Sequence, residues 1–192
     1  MGYGPAGAEA EVVTVSHHHF DHSAADEVAG DPVVLHGLGA NGQWVRHDHH
    51  RSDVQITAVG GTYHDDRQGT VRGLNCLWRI ATGGIRVLHL GDLGHIPPPA
   101  VAAAAGRVDV LLVPVGGIYT IDAGMADRVV EAFKPRLVIP MHYRTDAVKD
   151  WPIAPVEEFL RGKDALRHLP DRELTLDGGG LPPDREVWVF PP

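Results

Sequence analysis

Val12-Val13-Thr14-Val15-Ser16-His17-His18-His19-Phe20-Asp21-His22 is the stretch that decides how this chain is read: an apolar run breaks directly into the pattern H-x-H-x-D-H. Residues 11–15 have the composition of a buried strand. A strand sets residues two apart on one face, so an extended segment lets His17 and His19 reach one ion together. A turn at Phe20 then swings Asp21 and His22 toward a second position nearby. Imidazole suits zinc and iron, and a carboxylate beside it suits a centre that also holds water. Thirteen histidines in 192 residues will cluster somewhere by chance, so the weight of this cluster lies in its place after a strand. An expression tag explains it poorly, because tags sit at termini and run longer.

The rest of the chain repeats the strand-then-ligand arrangement. Residues 54–59 alternate as a strand and lead to His64. Residues 74–81 and 85–90 read as a hairpin joined by Thr82-Gly83-Gly84, and the second strand runs into Gly91-Asp92-Leu93-Gly94-His95. A continuous apolar run over 108–115 reads as a buried strand, and residues 136–141 form another that ends at His142. Helices are predicted over 98–105, with proline in the first turn, over 122–133, and near 156–160. A further helix is expected over 23–29, between an N-cap serine and the stop signal Gly30. Residues 32–36, 173–176 and 186–190 complete the strands, and residues 1–10 read as largely irregular. His47, His49 and His50 fall in the polar stretch 37–53, a loop or weak hairpin, where no apolar period frames them. The order of elements makes a layered α/β fold with sheets inside and helices outside, in one domain over 1–192. Candidate ligands gather where rigid strands meet adaptable loops.

Charge and cysteine content narrow the classes. Seventeen basic against 25 acidic residues give a formal charge of −8, which argues against a nucleic-acid partner held through its phosphates. Cys76 is the only cysteine, so no disulfide forms within the chain, and a reducing, cytoplasmic setting is expected. Its apolar surroundings favour a structural role over a nucleophilic one. No apolar run reaches the length of a membrane span, and the first residues lack the layout of a signal peptide.

Taken together, H-x-H-x-D-H, His64, Gly91-Asp92 and His142 resemble the metallo-β-lactamase superfamily. The stretches Leu88-His89-Leu90-Gly91-Asp92-Leu93-Gly94-His95, Pro114-Val115-Gly116-Gly117-Ile118-Tyr119-Thr120 and Ile139-Pro140-Met141-His142-Tyr143 look like one branch of it. That branch is the group of small metal-dependent hydrolases related to L-ascorbate-6-phosphate lactonase. The resemblance implies a four-layer αββα sandwich with two divalent metal ions at one edge of its sheets, zinc first and manganese or iron as substitutes. It implies that His17, His19 and His64 hold the first ion, that Asp21, His22 and His142 hold the second, and that Asp92 bridges both. A hydroxide between the ions would attack a small ester, lactone or phosphodiester, with Asp21 orienting it or collecting a proton. His95 is a further candidate at the substrate, with packing as its alternative. Gly116, Gly117, Tyr119 and Thr120 would shape a loop near the cleft.

Relatives of this branch begin with additional strands before a Gly-Tyr-Gly-Pro-like stretch, whereas this sequence starts at Met1-Gly2-Tyr3-Gly4-Pro5. The resemblance therefore implies a sheet short of roughly its first two or three strands, through a misassigned start, completion by a partner chain, or a second copy of the chain that covers the exposed edge. Two other functions compete with hydrolysis. A di-iron oxidoreductase is disfavoured, because related di-iron proteins carry glutamate where His19 stands. A non-catalytic metal- or partner-binding module draws support from the shortened sheet alone.

Overall fold

Alternation along the strands sets the layers. The computed structural model describes residues 7, 9–177 and 179–192. Its elements in chain order are β1 (Val12–Val15), β2 (Val33–His36), β3 (Asp48–Arg51), β4 (Val54–Tyr63), β5 (Leu74–Thr82) and β6 (Ile85–His89). They continue with α1 (Pro99–Ala105), β7 (Val110–Pro114), α2 (Ala123–Phe133), β8 (Leu137–Met141), α3 (Val156–Leu160), β9 (Leu166–His168) and β10 (Glu186–Val189). β1 and β2 pair in parallel as a small sheet. The other eight strands form one sheet in the order β3-β4-β5-β6-β7-β8-β10-β9. Its first three pairings, from β3 to β6, are antiparallel, and the remainder are parallel.

Each central strand feeds two different cores, as a period of two requires. Leu77 of β5, Leu88 of β6, Leu111 and Val113 of β7, and Val138 of β8 pack with Val101, Val129 and Phe159 of the three helices. On the opposite face, Cys76 and Trp78 of β5 and Ile56 of β4 meet Leu35 of the small sheet. Further along that face, Ile85, Val110, Leu137 and Trp188 are covered by Leu169 and Leu181. The small sheet and the segments that carry Leu169 and Leu181 thus cover one face of the large sheet, and the helices cover the other. Among the described residues all three α-helices belong to one face, and the crossover between β1 and β2 contains only a single 3-10 turn, Ala25–Glu27.

That turn replaces the helix expected over 23–29. The Ser23 hydroxyl donates to the His19 carbonyl at 2.9 Å and caps nothing, while Val28 is already extended on the way to β2. The strand expected over 173–176 is irregular chain, although Leu174 and Leu176 still pack against the core. β9 takes the edge beside β10 instead. The stretch 37–53, expected to be a loop or weak hairpin, holds the isolated bridge between Leu38 and Trp44, and its end forms β3, which pairs with β4 beyond it. The reading of residues 1–10 falls mostly outside the described residues; within it, Glu9 bridges to Ala29. No helix among the described residues is long and apolar enough to cross a membrane.

Candidate metal centre

Four strand ends deliver the polar residues to one place. The loop after β1 carries His17 to His22, β4 ends at Tyr63 before His64, β6 leads into Gly91-Asp92, and β8 leads into His142. Asp92, only 4% exposed, is the hub. Its Oδ2 lies 3.2 Å from His64 Nε2, 3.7 Å from His142 Nε2 and 3.8 Å from His17 Nε2. Its Oδ1 lies 3.3 Å from His22 Nε2, which is in turn 3.8 Å from Asp21 Oδ2. Two sets of three side chains present ligand atoms within 4.8 Å of one another: His17, His19 and His64 in one, His17, His22 and Asp92 in the other.

Backbone geometry brings these ends together. A bulge in β4 between Val59 and Thr62, with Gly61 at a φ of 88°, bends the strand before it delivers His64. Gly94 lets the Asp92 loop touch the His64 loop. A Cβ there would lie 2.4 Å from Asp65 N and from His64 C, distances no side chain tolerates. His142 takes a φ of 52°, an uncommon conformation for a residue with a side chain and one that gathers at functional sites.

Three buried polar side chains fix the ligands from behind. Ser16 Oγ is 2.9 Å from His17 Nδ1; when Nδ1–H donates to it, Nε2 turns its lone pair toward Asp92. Asn75, fully buried, donates from Nδ2 to Leu90 O at 2.9 Å and accepts from Asp92 N at 3.1 Å, so it clamps both sides of Gly91. Asp65 accepts four backbone N–H bonds, from Arg67, Gly69, Val71 and Arg72 at 2.7–3.0 Å, and ties the loop that follows His64 into a closed turn.

The protonation states suit cation binding. Burial, reinforced by the neighbouring His22, pushes His17 down to about 3. Burial and the imidazole of His64 lower His19 as well. Burial works against the Asp92 charge, yet His64, His22 and His142 outweigh it and hold the carboxyl well below the usual range. At neutral pH the site therefore offers neutral imidazoles at His17 and His19 beside an anionic Asp92, the form metal ligands must take. The buried nitrogens His17 Nε2 and His64 Nε2 have no hydrogen-bond partner. An orphaned polar atom in the interior is costly, and a cation between these nitrogens and Asp92 would satisfy them. The residues fit a metal.

Asp21 lines both cavities that open on the centre, one of about 560 Å3 beside His19 and Tyr119 and one of about 410 Å3 beside His22 and His89. His95 is placed away from both. Its Nε2 accepts from Tyr63 N at 3.1 Å, its Nδ1 faces Ile96 O at 3.0 Å, and its ring packs on Tyr63. With both nitrogens committed to backbone it braces the end of β4, and the expectation of His95 at the substrate gives way to packing. His47 and His50 bond to His36 O and Asp48. Burial pushes the Cys76 thiol up to about 12, which leaves it inert. Sequence reasoning missed Ser16, Asn75, Asp65, Arg72 and Trp151. For Ser16 and Asp65 the only available signal was adjacency to His17 and His64.

Known proteins resemble this chain in sequence and fold. Residues 1–142 match the model of the beta-lactamase superfamily domain, and the chain belongs to that superfamily. It is 30% identical over 173 residues to a UPF0173 metal-dependent hydrolase of Methanocaldococcus jannaschii, covering 81% of this chain and 76% of the relative. A solved structure from Thermotoga maritima, described as a proposed Zn-dependent hydrolase of the metallo-β-lactamase superfamily, superposes with a TM-score of 0.75 at 34% identity, over 95% of this chain and 82% of that one. Some matches are shorter: the chain spans only 41% of a UPF0173 metal-dependent hydrolase of Thermoplasma acidophilum, at 34% identity over 92 residues.

Proposed function

We propose that this chain is a hydrolase with a dinuclear metal centre built around Asp92, acting on a small ester, lactone or phosphodiester. The observation that carries the reading is the convergence of four imidazole Nε2 atoms on one buried carboxylate, within 3.2–3.8 Å. His17, His19 and His64 would hold one ion and Asp21, His22 and His142 the other, with Asp92 between them. The nitrogen-rich donor set suits zinc, with manganese or iron as substitutes. Bound divalent ions would supply a nucleophile from water at neutral pH and positive charge for the developing oxyanion.

The chain's own residues do the remaining work. Neutral His17 and His19 keep their lone pairs for the site at physiological pH. Asp21, open to both cavities, would hold a proton at its carboxylate during turnover. Tyr119 and Trp151, with ring centroids 6.1 Å apart, wall one side of the cleft. The metal-loaded chain is expected to hydrolyse at least one of 4-nitrophenyl acetate, bis(4-nitrophenyl) phosphate and a γ-lactone, and Asp92→Asn should lower that rate at least about a hundredfold. Turnover by Asp92→Asn equal to the parent's would refute the reading.

A further inference from the structure

Arg72 stands in the larger cavity together with His19, His64, Asp92, Tyr119 and Trp151. Its guanidinium carbon lies 5.6 Å from the centre of the Tyr119 ring, and among the described residues no carboxylate pairs with it. It is the only arginine or lysine among the described residues that line this cavity. The rest of its environment is built rather than incidental. Asp65 Oδ2 accepts from Arg72 N at 2.7 Å, and Asp65 follows His64 directly, so one carboxylate fixes the spacing between a metal-site imidazole and this cation. Tyr119 is presented by a tight turn in which its N–H donates to Gly117 O at 2.7 Å and Ile118 takes a φ of 62°. Strain kept at a residue beside a cleft is a mark of function.

A guanidinium has a planar fork that fits carboxylate or phosphate oxygens two at a time, and it stacks on aromatic faces. Held against Tyr119, with no carboxylate of the described residues in an ion pair with it, that fork is available to a ligand. We infer that Arg72 is the specificity residue of the cleft, and that the substrate carries a carboxylate or phosphate group apart from the bond that is cleaved. Tyr119 and Trp151 flank the body of such a molecule while its reacting end reaches Asp92. This inference rests on the proposed function for the reacting end, and on Arg72, Asp65 and Tyr119 for the anionic end.

The test is calorimetric titration of the zinc-loaded full chain with phenyl phosphate and with benzoate, with metal content measured alongside. The parent is expected to bind at least one of them, and Arg72→Met to weaken that binding at least about tenfold at unchanged metal content. Arg72→Lys keeps the charge and loses the fork, so it should fall between the two; it also serves if Arg72→Met does not fold. Loss confined to phenyl phosphate marks a phosphate-bearing substrate, and loss confined to benzoate a carboxylate-bearing one. No binding of either anion by the parent, or equal affinity in the parent and in whichever variants fold, overturns the inference. A chain that takes up no metal yet shows Arg72-dependent anion binding would sink the proposed function and leave the role of Arg72 standing.

Discussion

The loop from His17 to His22 and the loop from His64 to Gly73 both reach Asp92, with imidazoles at 3.8 and 3.2 Å, yet they are held in different ways. The first is dense in ligands and poor in bonds of its own: His22 N donates to His19 O, and the Ser23 hydroxyl donates to the same carbonyl. Its Phe20 is 78% exposed. The second contributes one imidazole and spends a buried carboxylate on its own backbone, four N–H groups closing on Asp65. Burial works against the charge of Asp65, and the N–H groups of Arg72, Arg67, Val71 and Gly69 outweigh it, holding the carboxyl below its usual range. The difference teaches a division of labour. On the proposed function the first loop is ordered by the metal it holds, whereas the second is ordered by the chain itself and supplies a fixed reference for it.

Breaking the second loop gives the largest effect. Asp65→Ala leaves four backbone donors without their acceptor and should cost roughly 2–4 kcal/mol in chemical denaturation. Hydrogen exchange sharpens the contrast. Chelation should speed exchange across residues 17–22 and leave 65–73 protected, whereas Asp65→Ala should open 65–73 even with metal present. Matching behaviour in the two loops would erase the distinction.

Acid should act next. From an ordinary value of 6.5, burial pushes His17 to about 3 and His89 to about 4. The unfolded chain takes up these protons as pH falls through about 6.5, while the folded chain refuses them until about 4 and then 3. Stability of the metal-free protein should thus be fully present above that upper value and decline steadily below it, as read by urea midpoints across the range. A midpoint independent of pH over that window would contradict the burial of these imidazoles. The smallest effect is at Ser16. Ser16→Ala removes the oxygen behind His17 Nδ1 and should weaken metal affinity about tenfold, with little change in fold stability.

Much of the site was legible because its ligands are of telling types and sit directly after apolar runs: His17, His19 and His22 after β1, Asp92 after β6, His142 after β8. What supports them was not. Asn75 looks like one polar residue inside an apolar strand, and nothing in its neighbourhood announces that it clamps Gly91 from a strand away. Asp65 is one of two aspartates that follow a histidine in the sequence, and its role depends on a loop closing over it. His95 was misplaced for a related reason. It lies three positions from Asp92 in sequence, but Gly94 packs against the backbone of His64 and Asp65 and donates its N–H to Tyr63 O, which turns His95 toward Tyr63 instead. The helix over 23–29 failed because its N-cap serine is used by the histidine loop. Local pattern reported the candidate ligands, and long-range packing decided their supports.

The most direct test of the central claim is metal content per chain by elemental analysis, on untagged protein loaded with zinc and freed of excess, in parallel with Asp92→Ala. The arrangement around Asp92 predicts two ions per chain in the parent and a fall to one or none in the variant. A parent that holds less than one ion, or a variant that still holds two, would contradict the account of Asp92 as the hub of a dinuclear centre.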